Sequence, residues 1–231
     1  MRRRDRAGRP EPRAGDGVRL RLSRLHHPVT TLGPGRRVGV WLQGCAIGCP
    51  GCVSQDTWFA EPRHDIEVDD VLDRVAGLDP AGITGVTVTG GEPSEQPEAL
   101  AALVTGLAGL GAGHDWDVLC YTGVELDEFR GRCPGAYPSI DALITGPYRA
   151  GEPTDLVWRG SANQRLVPCS PLGRHRYAPW VDARRDRPEL QLQVDDDRVW
   201  LVGIPGRGDL ARIQRALDAQ GIRLEGVSWR P

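Results

Sequence analysis

Trp41-Leu42-Gln43-Gly44-Cys45-Ala46-Ile47-Gly48-Cys49-Pro50-Gly51-Cys52 carries three of the six cysteines of the chain, spaced Cys-x3-Cys-x2-Cys. Three thiolates at that spacing can hold three irons of a [4Fe–4S] cluster, for which cysteine is the usual ligand. A complete cage needs a fourth ligand. One iron is therefore left for something that is not protein, and an open metal position marks a reactive site. Zinc fits less well, because its ligands come as a Cys-x2-Cys pair matched by a second pair, and no fourth ligand lies near. A disulfide is disfavoured because nothing upstream reads as a secretory signal. The glycines at 44, 48 and 51 let the backbone approach a cluster closely and adopt positive φ.

Working outward, residues 37–42 read as a buried strand that delivers the chain into this loop, and residues 18–25 alternate as a half-buried strand. Downstream, residues 67–78 place Val68, Val71, Leu72, Val75 and Leu78 on one helical face, with acidic residues in the first turn. Residues 83–89 are short and β-branched, the type of a buried parallel strand, and end on Gly90-Gly91-Glu92-Pro93. Ser94 is placed to cap a helix over 95–110. Strands over 117–121 and 140–145 flank a short helix over 124–130, and end on Thr122-Gly123 and Gly146-Pro147.

This alternation predicts an α/β fold with a parallel sheet. The cysteine loop, Gly90–Pro93, Thr122-Gly123 and Thr145-Gly146 all follow the C-terminal ends of strands. Ligands bind at that edge of parallel sheets, so four loops distant in sequence are expected to face one cavity. A strand end that lacks side chains exposes backbone carbonyls and amides, suited to an ammonium group.

Cys-x3-Cys-x2-Cys followed by Gly-Gly-Glu-Pro resembles the radical S-adenosylmethionine (SAM) superfamily. The resemblance implies an incomplete (β/α) barrel, with SAM chelated through its amino and carboxylate groups to the open iron. It also implies reductive cleavage of SAM to methionine and a 5′-deoxyadenosyl radical that abstracts hydrogen from a substrate. The position before the third cysteine is often aromatic in that superfamily, and here it is Gly51. That departure, with Thr57-Trp58, Tyr121-Thr122-Gly123-Val124 and Trp158-Arg159-Gly160-Ser161-Ala162-Asn163-Gln164, resembles the activating enzymes of anaerobic (class III) ribonucleotide reductase. The likeness covers about residues 25–166.

By the same resemblance, Cys45, Cys49 and Cys52 ligate iron. The backbone of Gly51, Cys52 and Val53 meets the adenine side of SAM, and Gly90, Gly91, Glu92 and Pro93 meet its methionine part. Thr122 either bonds the ribose or the SAM carboxylate, or is a plain strand-end threonine. Arg159, Asn163 and Gln164 bind SAM, bind a partner's glycine-bearing loop, or only bond their own loop. The implied partner carries a glycyl-radical site, and the implied reductant is flavodoxin or ferredoxin. Two rival readings stand beside this one: radical chemistry on a small molecule or peptide, and an iron–sulfur electron-transfer module without catalysis.

The chain has 231 residues and a formal net charge of -2, which argues for neither nucleic acid nor a membrane surface. No apolar run approaches the roughly 20 residues that span a bilayer. A cytoplasmic protein with reduced thiols is expected. Its basic residues are arginines throughout, with no lysine. The expected domains are a disordered basic tail over 1–17, a radical SAM core over 18–170 and a C-terminal α+β extension over 171–231. Within the extension, a hairpin over 190–194 and 199–202 turns at 195–197, a helix runs over 209–220, and residues 227–229 read as a strand. Cys120, Cys133 and Cys169 show no ligand spacing, and Asp141 reads as a turn residue.

Overall fold

The computed structural model describes residues 17–187, 189–194 and 199–229. The tail over 1–16 and the turn at 195–197 lie outside the described residues. Strands β1 (Arg19–Val29), β2 (Arg37–Leu42), β3 (Asp65–Glu67), β4 (Gly85–Gly90), β5 (Asp117–Tyr121), β6 (Ala142–Thr145) and β7 (Arg165–Pro168) form an open seven-stranded sheet. Its order is β3-β1-β2-β4-β5-β6-β7. The pairings β2–β4, β4–β5 and β5–β6 are parallel. Strands β1 and β7 are antiparallel to their neighbours, so the sheet is mainly parallel at its centre and mixed at its edges.

All six residues of β2 are buried, as a strand covered on both faces requires. Val38, Val40, Leu42, Val86, Val88, Val118, Cys120 and Leu143 form one face. Helices α1 (Val68–Ala76), α2 (Pro97–Gly111) and α3 (Leu126–Arg132) cover it with Val71, Val75, Leu100, Leu103, Leu107 and Phe129. Cys120 and Cys133 are buried in this apolar layer, with Cys169 packed against it. Burial pushes the Cys120 thiol well up, so it is a neutral core group.

The other face is covered by later chain. Leu119, Ala142 and Ile144 pack against Trp158, Leu166 and Tyr177, the last from α4 (Pro171–Tyr177). Val29, Leu32 and Trp41 pack against Val202 of the two-stranded sheet formed by β8 (Leu190–Val194) and β9 (Val199–Gly203). Helix α5 (Asp209–Asp218) follows.

At the N-terminal ends of the strands, Arg37 is fully buried. It donates to both carboxylate oxygens of Asp117 (3.1 and 2.7 Å), to Thr87 Oγ1 (2.6 Å) and to the carbonyls of Val86 and Pro34. Arg176 donates to the same carboxylate at 2.7 Å, as does the Tyr177 hydroxyl. Burial alone would raise the Asp117 pKa. The adjacent Arg37 charge and the bonds from Arg37, Tyr177 and Arg176 overcome it and hold the carboxyl below its ordinary value.

Two expectations are corrected, and two elements come in addition. Pro93–Glu95 form a 3-10 turn, α2 begins at Pro97 after Gln96, and Ser94 does not cap it. Residues 227–229 form no strand. Strand β7 and helix α4 fall where no regular element was expected.

Candidate metal centre

Strand β2 hands the chain to the cysteine loop at Gln43 and Gly44. The buried Gln43 amide donates to the carbonyls of Asp56 (2.9 Å) and Phe59 (2.8 Å). Gly44 N–H donates to Thr57 O, and Cys45 N–H to Trp58 O. The outgoing and returning limbs are thus closed at the base, with the cysteines between them. Gly44, Gly48 and Gly51 have φ of +105°, +57° and +79°, so an L side chain would be strained at each. Cys45, Cys49 and Cys52 are free and half-buried. Burial raises Cys45 and Cys52 above the ordinary thiol value, and at Cys45 the carboxylates of Glu92 and Glu95 add to it. At Cys52 the Ser54 amide and the Trp58 indole work in the other direction.

The Gly-Gly-Glu-Pro turn lies directly against this loop. Gly91 N–H donates to Leu42 O at 2.8 Å, and Glu92 N–H to Gly44 O at 2.7 Å. A Cβ on Gly91 would sit 2.2 Å from Gly44 O, so only glycine permits the approach. The Glu92 side chain is buried and accepts from Ser94 N–H (2.8 Å), the Thr122 hydroxyl (2.7 Å) and Gly123 N–H (2.6 Å). It ties the end of β4 to the end of β5. The Thr122 hydroxyl is occupied here, and also accepts from Val124 N–H at 3.3 Å. Glu95 accepts from Ala46 N–H at 2.6 Å, and a Cβ on Gly123 would touch Ile47. Three strand ends therefore converge on the cysteine loop.

The end of β6 brings in the Trp158–Gln164 segment. Asn163 Nδ2 donates to Pro147 O (2.8 Å) and Gln164 Nε2 to Gly146 O (3.0 Å). Gln164 Oε1 accepts from Gly160 N–H at 2.8 Å. The buried Arg159 donates to the carbonyls of Val157 and Trp180. Burial lowers its pKa, against the influence of Asp182 and Tyr121. The segment thus bonds largely to itself and to the β6 end. Tyr148 lies between it and the cysteine loop, 3.5 Å from where a Gly51 Cβ would stand and 3.0 Å from a Gly160 Cβ. Tyr148 and Glu95 carry no spacing signal in the sequence, and only the fold brings them to the loop.

The residues fit an iron–sulfur cluster. Among the described residues, no three His, Cys, Asp or Glu side chains gather tightly enough for a single metal ion. A cubane asks for less, because each thiolate meets its own iron. The Trp58 indole N–H is buried without a hydrogen-bond partner and favours the Cys52 thiolate, a donor available to a ligated sulfur. Thr145 Oγ1 and Asn163 Oδ1 are likewise buried without partners around the β6 end. Buried polar atoms are rarely left so, and such groups suit a polar ligand.

Residues 31–167 match the model of a family described as the 4Fe-4S single cluster domain. The match takes in more than half of the chain, which belongs to this family. The cysteine loop lies within the matched residues. The anaerobic ribonucleoside-triphosphate reductase-activating protein of Enterobacteria phage T4 is 32% identical over 136 residues, covering 58% of this chain and 85% of that protein. Its Vibrio cholerae counterpart is 32% identical over 146 residues, 60% of this chain and 92% of that protein. The pyruvate formate-lyase-activating enzyme of Staphylococcus aureus is 38% identical over 78 residues, 32% of this chain and 31% of that enzyme. Among solved structures, QueE from Escherichia coli aligns over 89% of this chain and 92% of its own, with 13% identity and a TM-score of 0.41, too low to decide anything.

Proposed function

We propose that this protein is a radical SAM activating enzyme that generates a glycyl radical on a partner protein. The observation that carries the reading is the junction of two loops. Three free cysteines on a glycine-rich loop are bonded through Leu42 O and Gly44 O to Gly91 and Glu92. The named relatives, two of them activating proteins of anaerobic ribonucleoside-triphosphate reductase, support the choice of partner class. The incomplete barrel and the cytoplasmic setting belong to the same reading. Among the described residues, no helix is long and apolar enough to cross a membrane.

When bound, the reduced cluster and SAM supply the one-electron chemistry that yields a deoxyadenosyl radical; the protein supplies binding, orientation and exclusion of water. Cys45, Cys49 and Cys52 would hold irons of the cluster. The backbone at Gly90 and Gly91 receives the methionine part of SAM, and Gly51, Cys52 and Val53 border the adenine side. Glu92 acts as a brace, since its carboxylate is taken up by Ser94, Thr122 and Gly123. Asn163 lines the β6 end with one oxygen still to be bonded. Flavodoxin or ferredoxin is the proposed electron donor.

The test is anaerobic reconstitution, reduction and addition of SAM, with 5′-deoxyadenosine quantified in wild type and Cys49→Ala. Product from the wild type alone supports the reading. A cluster that forms and reduces but gives no product, with or without a glycyl-radical partner, refutes it.

A further inference from the structure

Residues 227–229 lie outside the stretch matched by the family model, yet they reach the metal centre. Gln55 and Asp56 N–H both donate to Ser228 O, at 2.8 and 3.3 Å. The Ser228 hydroxyl donates to Val53 O at 2.8 Å. A single residue thus grips the chain on both sides of Ser54. Ser54 N–H in turn donates to Cys52 Sγ at 3.4 Å. Its carbonyl accepts from Thr57 N–H and from the Thr57 hydroxyl, which anchors the same segment at its far end.

We propose that Ser228 is a positioning residue for the cluster: it clamps residues 53–56 so that the Ser54 N–H stays aimed at the sulfur of Cys52. This inference rests on the proposed function, because it assigns Cys52 as an iron ligand. Hydrogen bonds to cluster sulfurs and solvent exposure are what a protein uses to set the potential of such a cluster. An N–H aimed at the sulfur stabilises the more negative, reduced form and raises the midpoint potential. Without the clamp, the segment keeps Ser54 O to Thr57, Gln55 Nε2 to Cys52 O, Gln55 O to Trp58 N–H, and the bonds of Asp56 to Gln43 and Arg24, none of which holds Val53 O or the backbone amides of Gln55 and Asp56. The N–H is then free to turn towards water, and the cluster becomes harder to reduce.

The test has two arms, on wild type, Ser228→Thr, Ser228→Ala and a chain lacking residues 227–231. The first is amide hydrogen exchange on the metal-free protein. Gln55 and Asp56 should exchange at least tenfold faster in the deletion, with Ser228→Ala in between and Ser228→Thr near wild type. The second is an EPR-monitored redox titration of the reconstituted protein. The midpoint should move to more negative potential in Ser228→Ala and in the deletion, and return in Ser228→Thr. Unchanged exchange in the deletion overturns the clamp. Faster exchange with an unmoved midpoint overturns its role at the cluster. A wild type that assembles no cluster overturns the proposed function and the tuning role together, and the exchange arm then reports on the contact alone.

Discussion

Strands β2 and β5 begin at Arg37 and Asp117 and end at the cysteine loop and Thr122, and their two ends are built differently. At the start, a buried guanidinium and a buried carboxylate meet in a two-pronged pair, and Thr87, Arg176, Tyr177 and three carbonyls share in the bonding. At the finish stand glycines with positive φ, bonds that run mostly through backbone, and buried polar atoms on Trp58, Thr145 and Asn163 without partners. A charge network of the first kind defines one arrangement and breaks badly when a member is removed. The second end leaves capacity for something the chain does not itself provide. Proteins depart from local optimality at functional sites and compensate elsewhere, and here both occur along the same strands.

Substitutions at each end can break this contrast. Asp117→Ala strands the Arg37 charge in the sheet and should cost about 3–5 kcal/mol in urea unfolding. Whatever remains folded should still take up iron, because the cysteine loop is untouched. The Asp117 carboxyl also sets a pH dependence. Its folded pKa lies below the unfolded value near 3.9, so its contribution is complete above that value and fades as pH falls through the lowered folded one. Asp117→Asn should flatten the acid limb of a stability–pH curve. Glu92→Gln should cost less stability, about 1.5–3 kcal/mol for bonds to a charged acceptor. Its larger effect should fall on SAM affinity, measured by the shift of the reduced-cluster EPR signal on titration. Equal damage to stability from Glu92→Gln and Asp117→Ala would erase the distinction between the ends. Tyr177→Phe sharpens it with the smallest change, removing one of several donors to Asp117 for about 1 kcal/mol and leaving cluster assembly at wild-type levels.

The central strands could be read from the sequence because burial on both faces selects near-continuous apolar runs. Arg37–Leu42 and Asp117–Tyr121 fall where the pattern puts them. The cysteine spacing and the glycine turn after β4 are local patterns, and the fold sets these two loops side by side, as loops at the same edge of a parallel sheet should be. Strand β7 was not, because a four-residue edge strand with an exposed arginine at its start and a proline at its end has no periodicity to show. Helix α4 hides behind Arg174, His175 and Arg176, since its buried residues are only Gly173 and Tyr177. Ser94 looked like a cap, but the Glu92 carboxylate captures its amide and the chain makes a tight turn before α2 can begin. The grip of Ser228 on Val53 spans 175 positions, a contact no local pattern encodes.

The closed base of the cysteine loop has a practical result for the life of the protein. Gln43, Gly44 and Cys45 are bonded to residues 56–59, and Ala46 to Glu95, by atoms that take no part in holding iron. Loss of a cluster to oxygen would leave these bonds unbroken, so iron and sulfide supplied again would meet a frame already in place.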